Sequence, residues 1–148
     1  RLFASFIADG HHLPADTLRA MLRAKSPGRS VLASVAAALG GMPPGRYASK
    51  IGGDVDVGAD GRLGMAGTSY LAGAGHLLNC TIVRAMDLAG LTLGEALSLA
   101  TANPGALAGG RGRLSPGAPA DVIRFRYVPG DGELTIAETF VAGERTAA

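Results

Sequence analysis

Two histidines and an aspartate follow the first apolar segment of the chain. Asp9, Gly10, His11 and His12 come directly after residues 2–8, which are almost all apolar. An imidazole, neutral or cationic, can donate a hydrogen bond to an oxyanion that develops during a reaction. The alternative is that both histidines only cap a strand and bind nearby backbone. These four residues are therefore the first candidates for a site.

Other residues with reactive side chains have weaker patterns. Cys80 lies in apolar sequence, which favours a small buried core residue over a nucleophile, and a single cysteine cannot form an internal disulfide. His76 lies in a segment that we predict to be an apolar helix and is expected to be structural. Asp54, Asp56 and Asp60 stand among turn residues, which favours solvated turn carboxylates.

The elements that would position the first candidates form a repeating strand and helix pattern. Residues 2–8 have the length and continuous hydrophobicity of a strand buried on both faces. A helix is predicted after Pro14, with Leu18, Met21 and Leu22 on one face, and residues 31–34 form a second short apolar run. This order predicts a right-handed crossover with two parallel strands, whose ends carry the active groups of α/β folds.

The middle of the chain changes to turn residues and then to a longer apolar segment. Residues 40–67 are rich in glycine, proline and aspartate, and predict a loop with a small hairpin. Residues 71–88 predict an apolar helix.

The last third predicts one more helix and an antiparallel pair of strands. Thr92 suits a helix N-cap, with Glu95 at the capping-box position, and residues 103–104 should break this helix. Apolar and polar residues alternate in residues 122–127 and 134–141, which is typical of strands.

Composition excludes several functional classes. The 148 residues suit one globular domain, since 47% are hydrophobic and 18% are charged. The net charge is +2 and the arginines are scattered, so nucleic acid is not an expected partner. No run reaches the roughly 18 apolar residues of a membrane span, so we expect a cytoplasmic protein without membrane contact. A start at Arg1 within a strand pattern suggests that the chain was cut from a longer one.

Five motifs together resemble the C-terminal part of N-acetylglucosamine-6-phosphate deacetylases, which belong to the amidohydrolase superfamily. The motifs, in family order, are residues 9–12, 42–47, 71–73, 100–104 and 112–121. The last is general to amidohydrolases, whereas the first three together are specific to the deacetylases. The resemblance implies an α/β fold that is the C-terminal portion of a (β/α)₈ TIM barrel with part of a small β-sandwich. Residues 1–108 would form the barrel part and residues 109–148 the sandwich strands.

The family activity is hydrolysis of the N-acetyl amide of an amino-sugar phosphate. The resemblance implies a divalent metal, zinc by expectation, which activates water in the full-length enzymes. Its ligands are a glutamate and two histidines from earlier strands, so no metal ligand and no cofactor are expected in this chain.

The resemblance also assigns roles to residues. Asp9, Gly10, His11 and His12 match a turn that contacts the substrate, and His12 would help to polarise the scissile carbonyl. Leu71, Ala72 and Gly73 match a segment whose backbone contacts the substrate; the alternative is that these small residues only let a helix start near the barrel rim.

Val35 stands where the family has its catalytic aspartate. Valine can neither accept nor donate a proton, and a positioned general acid or base is typically worth about 10² to 10⁴ in rate. We therefore expect this chain to be inactive by itself.

Two alternatives to a deacetylase remain open. The chain could be a non-catalytic half-barrel or sugar-phosphate-binding module that complements another chain, or an amidohydrolase acting on a different amide. A wedge of two parallel strands leaves an uncovered edge, so we expect it to pair with a missing N-terminal half of the barrel or to self-associate.

Overall fold

A computed structural model describes residues 2–50 and 52–146, and it is an α/β structure. Strand β1 (Ala4–Phe6) is followed by helix α1 (Ala15–Lys25), a single 3₁₀ turn and strand β2 (Ser30–Leu32). The two strands pair in parallel, as predicted. Met21, expected on the inner face of α1, is 44% exposed, whereas Leu18 and Leu22 are buried.

An antiparallel sheet of four strands follows β2. Its strands are β3 (Gly45–Ser49), β4 (Gly53–Val57), β5 (Arg62–Met65) and β6 (Leu71–Ala74), in that order. We predicted only a loop with a small hairpin here, whereas the structure has a sheet of four strands. The prediction of a helix from residue 71 is also wrong, because residues 71–74 pair with β5 and form the edge of this sheet.

Three helices come next. They are α2 (Leu78–Ala89), α3 (Leu93–Ala100) and α4 (Ala102–Leu107). The capping box at the start of α3 is confirmed, since the Thr92 hydroxyl accepts from the Glu95 amide and the Glu95 carboxylate accepts from the Thr92 amide. The predicted break at residues 103–104 is misplaced: α3 ends at Ala100, and Pro104 falls in the first turn of α4, where a missing amide proton costs no helical hydrogen bond.

The tail forms the predicted antiparallel strands. They are β7 (Val122–Arg126) and β8 (Thr135–Val141), with a short β9 (Glu144–Arg145) beside β8. Leu134, just before β8, is fully buried in the main core, and its amide donates to the Asn79 carbonyl at the start of α2. The tail is therefore packed against the helical part.

The main core lies between the parallel strands and the helices. It contains buried residues of β1, β2, α1, α2 and α3 together with Leu134. A smaller hydrophobic cluster, formed by Val55, Val57 and Leu63, lies on the antiparallel sheet. A parallel bridge between Ala36 and Ala74 joins the end of β2 to β6. Among the described residues, none of the helices has the length and apolarity to span a bilayer.

Candidate functional site

The histidines lie at one edge of the parallel strand pair. Because β1 and β2 are parallel, the segments after both strands leave the sheet on the same side. Residues 9–12, here called the histidine turn, follow β1, and Val35 follows β2. The edge therefore holds both positions that the sequence suggested for chemistry.

Asp9 organises the histidine turn. Its carboxylate is buried and accepts three hydrogen bonds, from the His11 amide (2.9 Å), the His12 amide (3.0 Å) and the His12 ring Nδ1 (2.7 Å). Burial alone would raise the pKa of Asp9, but these hydrogen bonds outweigh it and the pKa lies below its ordinary value. Asp9 is thus an ionised, fully paired carboxylate.

The Asp9 carboxylate orients the His12 ring. An ionised carboxylate can only accept, so the 2.7 Å contact places a proton on Nδ1 of His12. The other ring nitrogen, Nε2, is then available to accept a proton or, when protonated, to donate a hydrogen bond. The His12 side chain is 24% exposed, which allows contact with a small molecule. This orientation suits polarisation of a carbonyl.

His11 points to a different element. Its Nε2 lies 3.3 Å from the Asp60 carbonyl oxygen and 4.0 Å from the Asp60 carboxylate, in the turn between β4 and β5. Asp60 is an exposed turn residue, as predicted, and its carbonyl and carboxylate lie beside His11. Hydrogen bonding from the Arg62 amide, above all, lowers the pKa of Asp60, so it stays ionised beside His11.

His76 and Arg84 belong to the same cluster, which the sequence did not indicate. His76 lies in the loop between β6 and α2, not in a helix, and its ring stacks near that of His11, with ring centroids 6.2 Å apart. Arg84, in α2, donates one hydrogen bond to the Asp9 carbonyl and another to Nε2 of His76, and each is 3.2 Å long. Burial, followed by the charge of Arg84, lowers the pKa of His76. The three histidines of the chain thus gather at one place.

Val35 has an unusual backbone. Its φ is +49°, in the left-handed region, and its side chain is 55% exposed. Its carbonyl accepts a hydrogen bond from the Ala74 amide. The left-handed region favours glycine, asparagine and aspartate, and it is strained for a β-branched residue. The backbone at this position therefore suits an aspartate better than the valine that occupies it.

Leu71, Ala72 and Gly73 lie in β6, next to the segment that follows Val35. Gly73 has φ +134°, and a Cβ atom there would lie 2.8 Å from the Ala37 Cβ. Glycine is needed at this position for close packing of β6 on that segment. The alternative that these residues start a helix is wrong, because α2 begins at Leu78. Their contact with a substrate stays a prediction.

Cys80 is less buried than expected. It lies in the first turn of α2, partly exposed, and its thiol donates to the Glu133 carboxylate at 3.3 Å. Burial, and then the contact with Glu133, raise the pKa of the thiol, which disfavours the nucleophilic thiolate. The interpretation of Cys80 as a non-nucleophile therefore agrees with its surroundings.

The cluster does not fit a metal ion. Nδ1 of His12 is paired with Asp9, and Nε2 of His76 accepts from the Arg84 cation. Within residues 2–50 and 52–146 there is no group of three or more histidine, cysteine or acidic side chains that could hold a metal. A cavity of about 390 Å³ does open beside His76 and Arg84, which is within the size range of small-molecule sites.

Known proteins provide independent evidence. The chain is 32% identical to N-acetylglucosamine-6-phosphate deacetylase of Danio rerio over 97% of this chain and 34% of that protein. It is 30% identical, over 97% of its own length, to an Escherichia coli K12 protein named as a proposed N-acetylgalactosamine-6-phosphate deacetylase, of which it covers 83%. No family model matches the sequence.

A solved structure agrees with these relatives. It is an aspartate-to-alanine mutant of the Mycobacterium smegmatis N-acetyl-D-glucosamine-6-phosphate deacetylase in complex with N-acetyl-D-glucosamine-6-phosphate. The TM-score is 0.75 at 31% identity, over 97% of this chain and 37% of that one. The chain thus spans about a third of the zebrafish and mycobacterial proteins. By sequence and by fold, the chain belongs to the N-acetylglucosamine-6-phosphate deacetylase family.

Proposed function

We propose that this chain is the sugar-phosphate-recognising, C-terminal part of a deacetylase fold and does not hydrolyse the amide by itself. The observation that carries the proposal is the contrast between two neighbouring positions. The histidine turn is formed, with His12 oriented by a buried Asp9, whereas Val35 offers no proton-transferring group. In this proposal β1 and β2 are the last two strands of a (β/α)₈ barrel.

The proposed ligand is an N-acetylated amino-sugar 6-phosphate. The relatives are named for N-acetylglucosamine 6-phosphate or N-acetylgalactosamine 6-phosphate, and the mycobacterial structure contains the former. His12, when Nε2 is protonated as well as Nδ1, would donate a hydrogen bond from Nε2 to the N-acetyl carbonyl and polarise it. The backbone of Leu71, Ala72 and Gly73 would contact the sugar.

Val35 is the reason to expect no turnover. Hydrolysis adds water to the amide carbonyl and expels the sugar amine, and both steps need a proton transfer. Loss of a positioned acid or base typically costs about 10² to 10⁴ in rate. A divalent metal, zinc by expectation, would activate the water in a complete enzyme. Since the residues of this chain do not fit a metal centre, its ligands would have to come from outside this chain.

Acetate release tests the proposal directly. The purified chain is incubated with N-acetylglucosamine 6-phosphate and zinc chloride, with buffer alone and His12→Ala as controls. We expect no acetate above the buffer control, and no gain from Val35→Asp, since the carboxylate alone does not build a metal centre. Acetate release that disappears in His12→Ala would contradict the proposal.

Binding of the sugar phosphate by this chain, without catalysis, is a separate part of the proposal. The formed histidine turn supports it. In a titration with glucosamine 6-phosphate followed by NMR, the His11 and His12 amides should shift at millimolar ligand. His12→Ala, as control, should abolish the shifts. A titration without shifts at the histidine turn would exclude the binding function.

We also propose that the free edge of β1 pairs with the remainder of a barrel. Among the described strands, β1 pairs only with β2. Leu2, two residues before β1, is 82% exposed. Light scattering and a dye for exposed apolar surface, at two protein concentrations, test this proposal. A dye-silent monomer with a sharp thermal transition would argue against it, and concentration-dependent dimers would show that a second copy covers the edge instead.

A further inference from the structure

We propose that Arg84 is the positioning residue of the histidine turn, and that His76 holds the Arg84 guanidinium in place by accepting a hydrogen bond from it. This assignment concerns the geometry of the turn and does not depend on the proposed function. It rests on contacts of Arg84, in α2, with Asp9 and His76, which follow β1 and β6 respectively.

Arg84 touches the start of the histidine turn. Its Nη1 donates a hydrogen bond of 3.2 Å to the Asp9 carbonyl. A Cβ atom at Gly10 would lie 3.4 Å from the same nitrogen, so the turn runs directly against the guanidinium. Thus the backbone of Asp9 is held by Arg84, while its carboxylate is held by the two histidine amides.

The backbone of Arg84 is held in place by the packing of α2. Its neighbours Val83 and Ala85 are buried in the main core, at 2% and 0% exposure. The side chain therefore extends from a fixed point in α2 to the edge of the parallel strands. A guanidinium is well suited to join two acceptors, because its donors form a planar fork, whereas an ammonium is a compact point charge.

His76 is the second acceptor. Arginine stays protonated, so its Nη2 must be the donor in the 3.2 Å contact, and Nε2 of His76 must carry a lone pair. The lowered pKa of His76 is consistent with this neutral state. A neutral ring then carries its proton on Nδ1, a buried atom for which the described structure shows no hydrogen-bond partner. His76 thus accepts from Arg84 in one tautomer.

His76 also links Arg84 to the antiparallel sheet. Its ring packs so closely on Gly61, in the β4–β5 turn, that a Cβ atom there would overlap it. The same ring stacks near His11, whose Nε2 contacts the Asp60 carbonyl. Arg84 and His76 therefore hold the histidine turn between α2 and the antiparallel sheet.

Amide hydrogen exchange measured by NMR on the whole chain tests the assignment. Arg84→Gln should raise the exchange rates of the His11 and His12 amides at least tenfold, and Arg84→Lys should give an intermediate rate. Core amides of α2 should keep their rates. His76→Gln, which retains an acceptor, should resemble the wild type, whereas His76→Leu should resemble Arg84→Gln. Arg23→Gln, an exposed arginine of α1, is the matched control and should change nothing.

A second readout is the tautomer of the His12 ring. ¹⁵N shifts should show a proton on Nδ1 in the wild type and a mixture of tautomers in Arg84→Gln. Unchanged protection of both amides in Arg84→Gln would overturn the assignment. A uniform rise across all amides would also overturn it, since that would mean general destabilisation. If Arg84→Gln does not fold, Arg84→Lys and His76→Leu decide: wild-type protection in both would refute the proposal.

Discussion

Replacing Val35 with asparagine should make the protein more stable, although it removes an apolar side chain. Val35 has φ +49° and is 55% exposed. A β-branched residue is strained in the left-handed region, whereas asparagine and aspartate adopt it more readily. The substitution should therefore relieve strain that the fold imposes through the hydrogen bond from the Ala74 amide to the Val35 carbonyl.

The size of the effect follows from two opposing contributions. A left-handed conformation costs an ordinary residue about 1–2 kcal/mol, and a β-branched residue lies at the upper end. Complete burial of a valine is worth about 1.5–3 kcal/mol, and since Val35 is 55% exposed the substitution gives up about 0.7–1.4 kcal/mol. We expect Val35→Asn to raise the free energy of unfolding by about 1 kcal/mol, or Tm by about 2–4 °C.

Urea and thermal denaturation followed by circular dichroism measure this change. The matched control is Val141→Asn, because Val141 is 54% exposed but lies in the regular backbone of β8. Asparagine is unfavourable in a strand, so the control should lower the stability. A Val35→Asn protein that is no more stable than the wild type would refute the strain argument. Equal shifts in both variants would refute it as well.

Three further predictions concern the site. Asp9→Asn should cost about 2 kcal/mol of unfolding free energy at neutral pH, through weakened charged hydrogen bonds. Because the folded pKa of Asp9 lies below 3.8, this difference should disappear as the pH falls through that lowered value. The lowered pKa of His76 means that the folded state excludes a proton that the unfolded chain binds below about 6.5, so stability should fall between pH 7.5 and 5, and His76→Gln should reduce this slope. Gly73→Ala should cost about 2 kcal/mol, because its φ is +134° and its Cβ would contact Ala37 at 2.8 Å. Gly94→Ala, in α3 with open space around it, should instead be neutral or stabilising by up to about 1 kcal/mol.

Urea denaturation over a range of pH tests all three. A cost of Asp9→Asn that increases as the pH falls would argue against an ionised carboxylate in the folded state. Identical pH slopes for the wild type and His76→Gln would show that another group binds the proton. Equal effects of alanine at positions 73 and 94 would contradict the packing argument for β6.

Local signals explain what was predicted correctly. The parallel pair of β1 and β2 followed from two short apolar runs around an amphipathic helix. The capping box of α3 needs only Thr92 and Glu95, three residues apart. Alternation predicted β7 and β8. In each case the evidence lies within one element or its immediate neighbours, where residue type and spacing decide the conformation.

Residues 71–74 show why the rest was missed. Leu-Ala-Gly-Ala is short and apolar, and such a run cannot be assigned to helix or strand from its periodicity. Pairing with β5 and the bridge from Ala74 to Ala36 make it a strand. The same strand ends just before His76 and places this residue at the site rather than in a helix.

The sequence by itself determined the family, the histidine turn and the replacement of an acid by Val35, because these depend on residue identity and order. Only the tertiary structure decided which residues surround that turn. Arg84 reaches the Asp9 carbonyl from 75 positions away, and His76 and Asp60 meet His11 from two other elements. Such contacts arise from the packing of α2 and of the antiparallel sheet against the parallel strands, and no local pattern of residues specifies them.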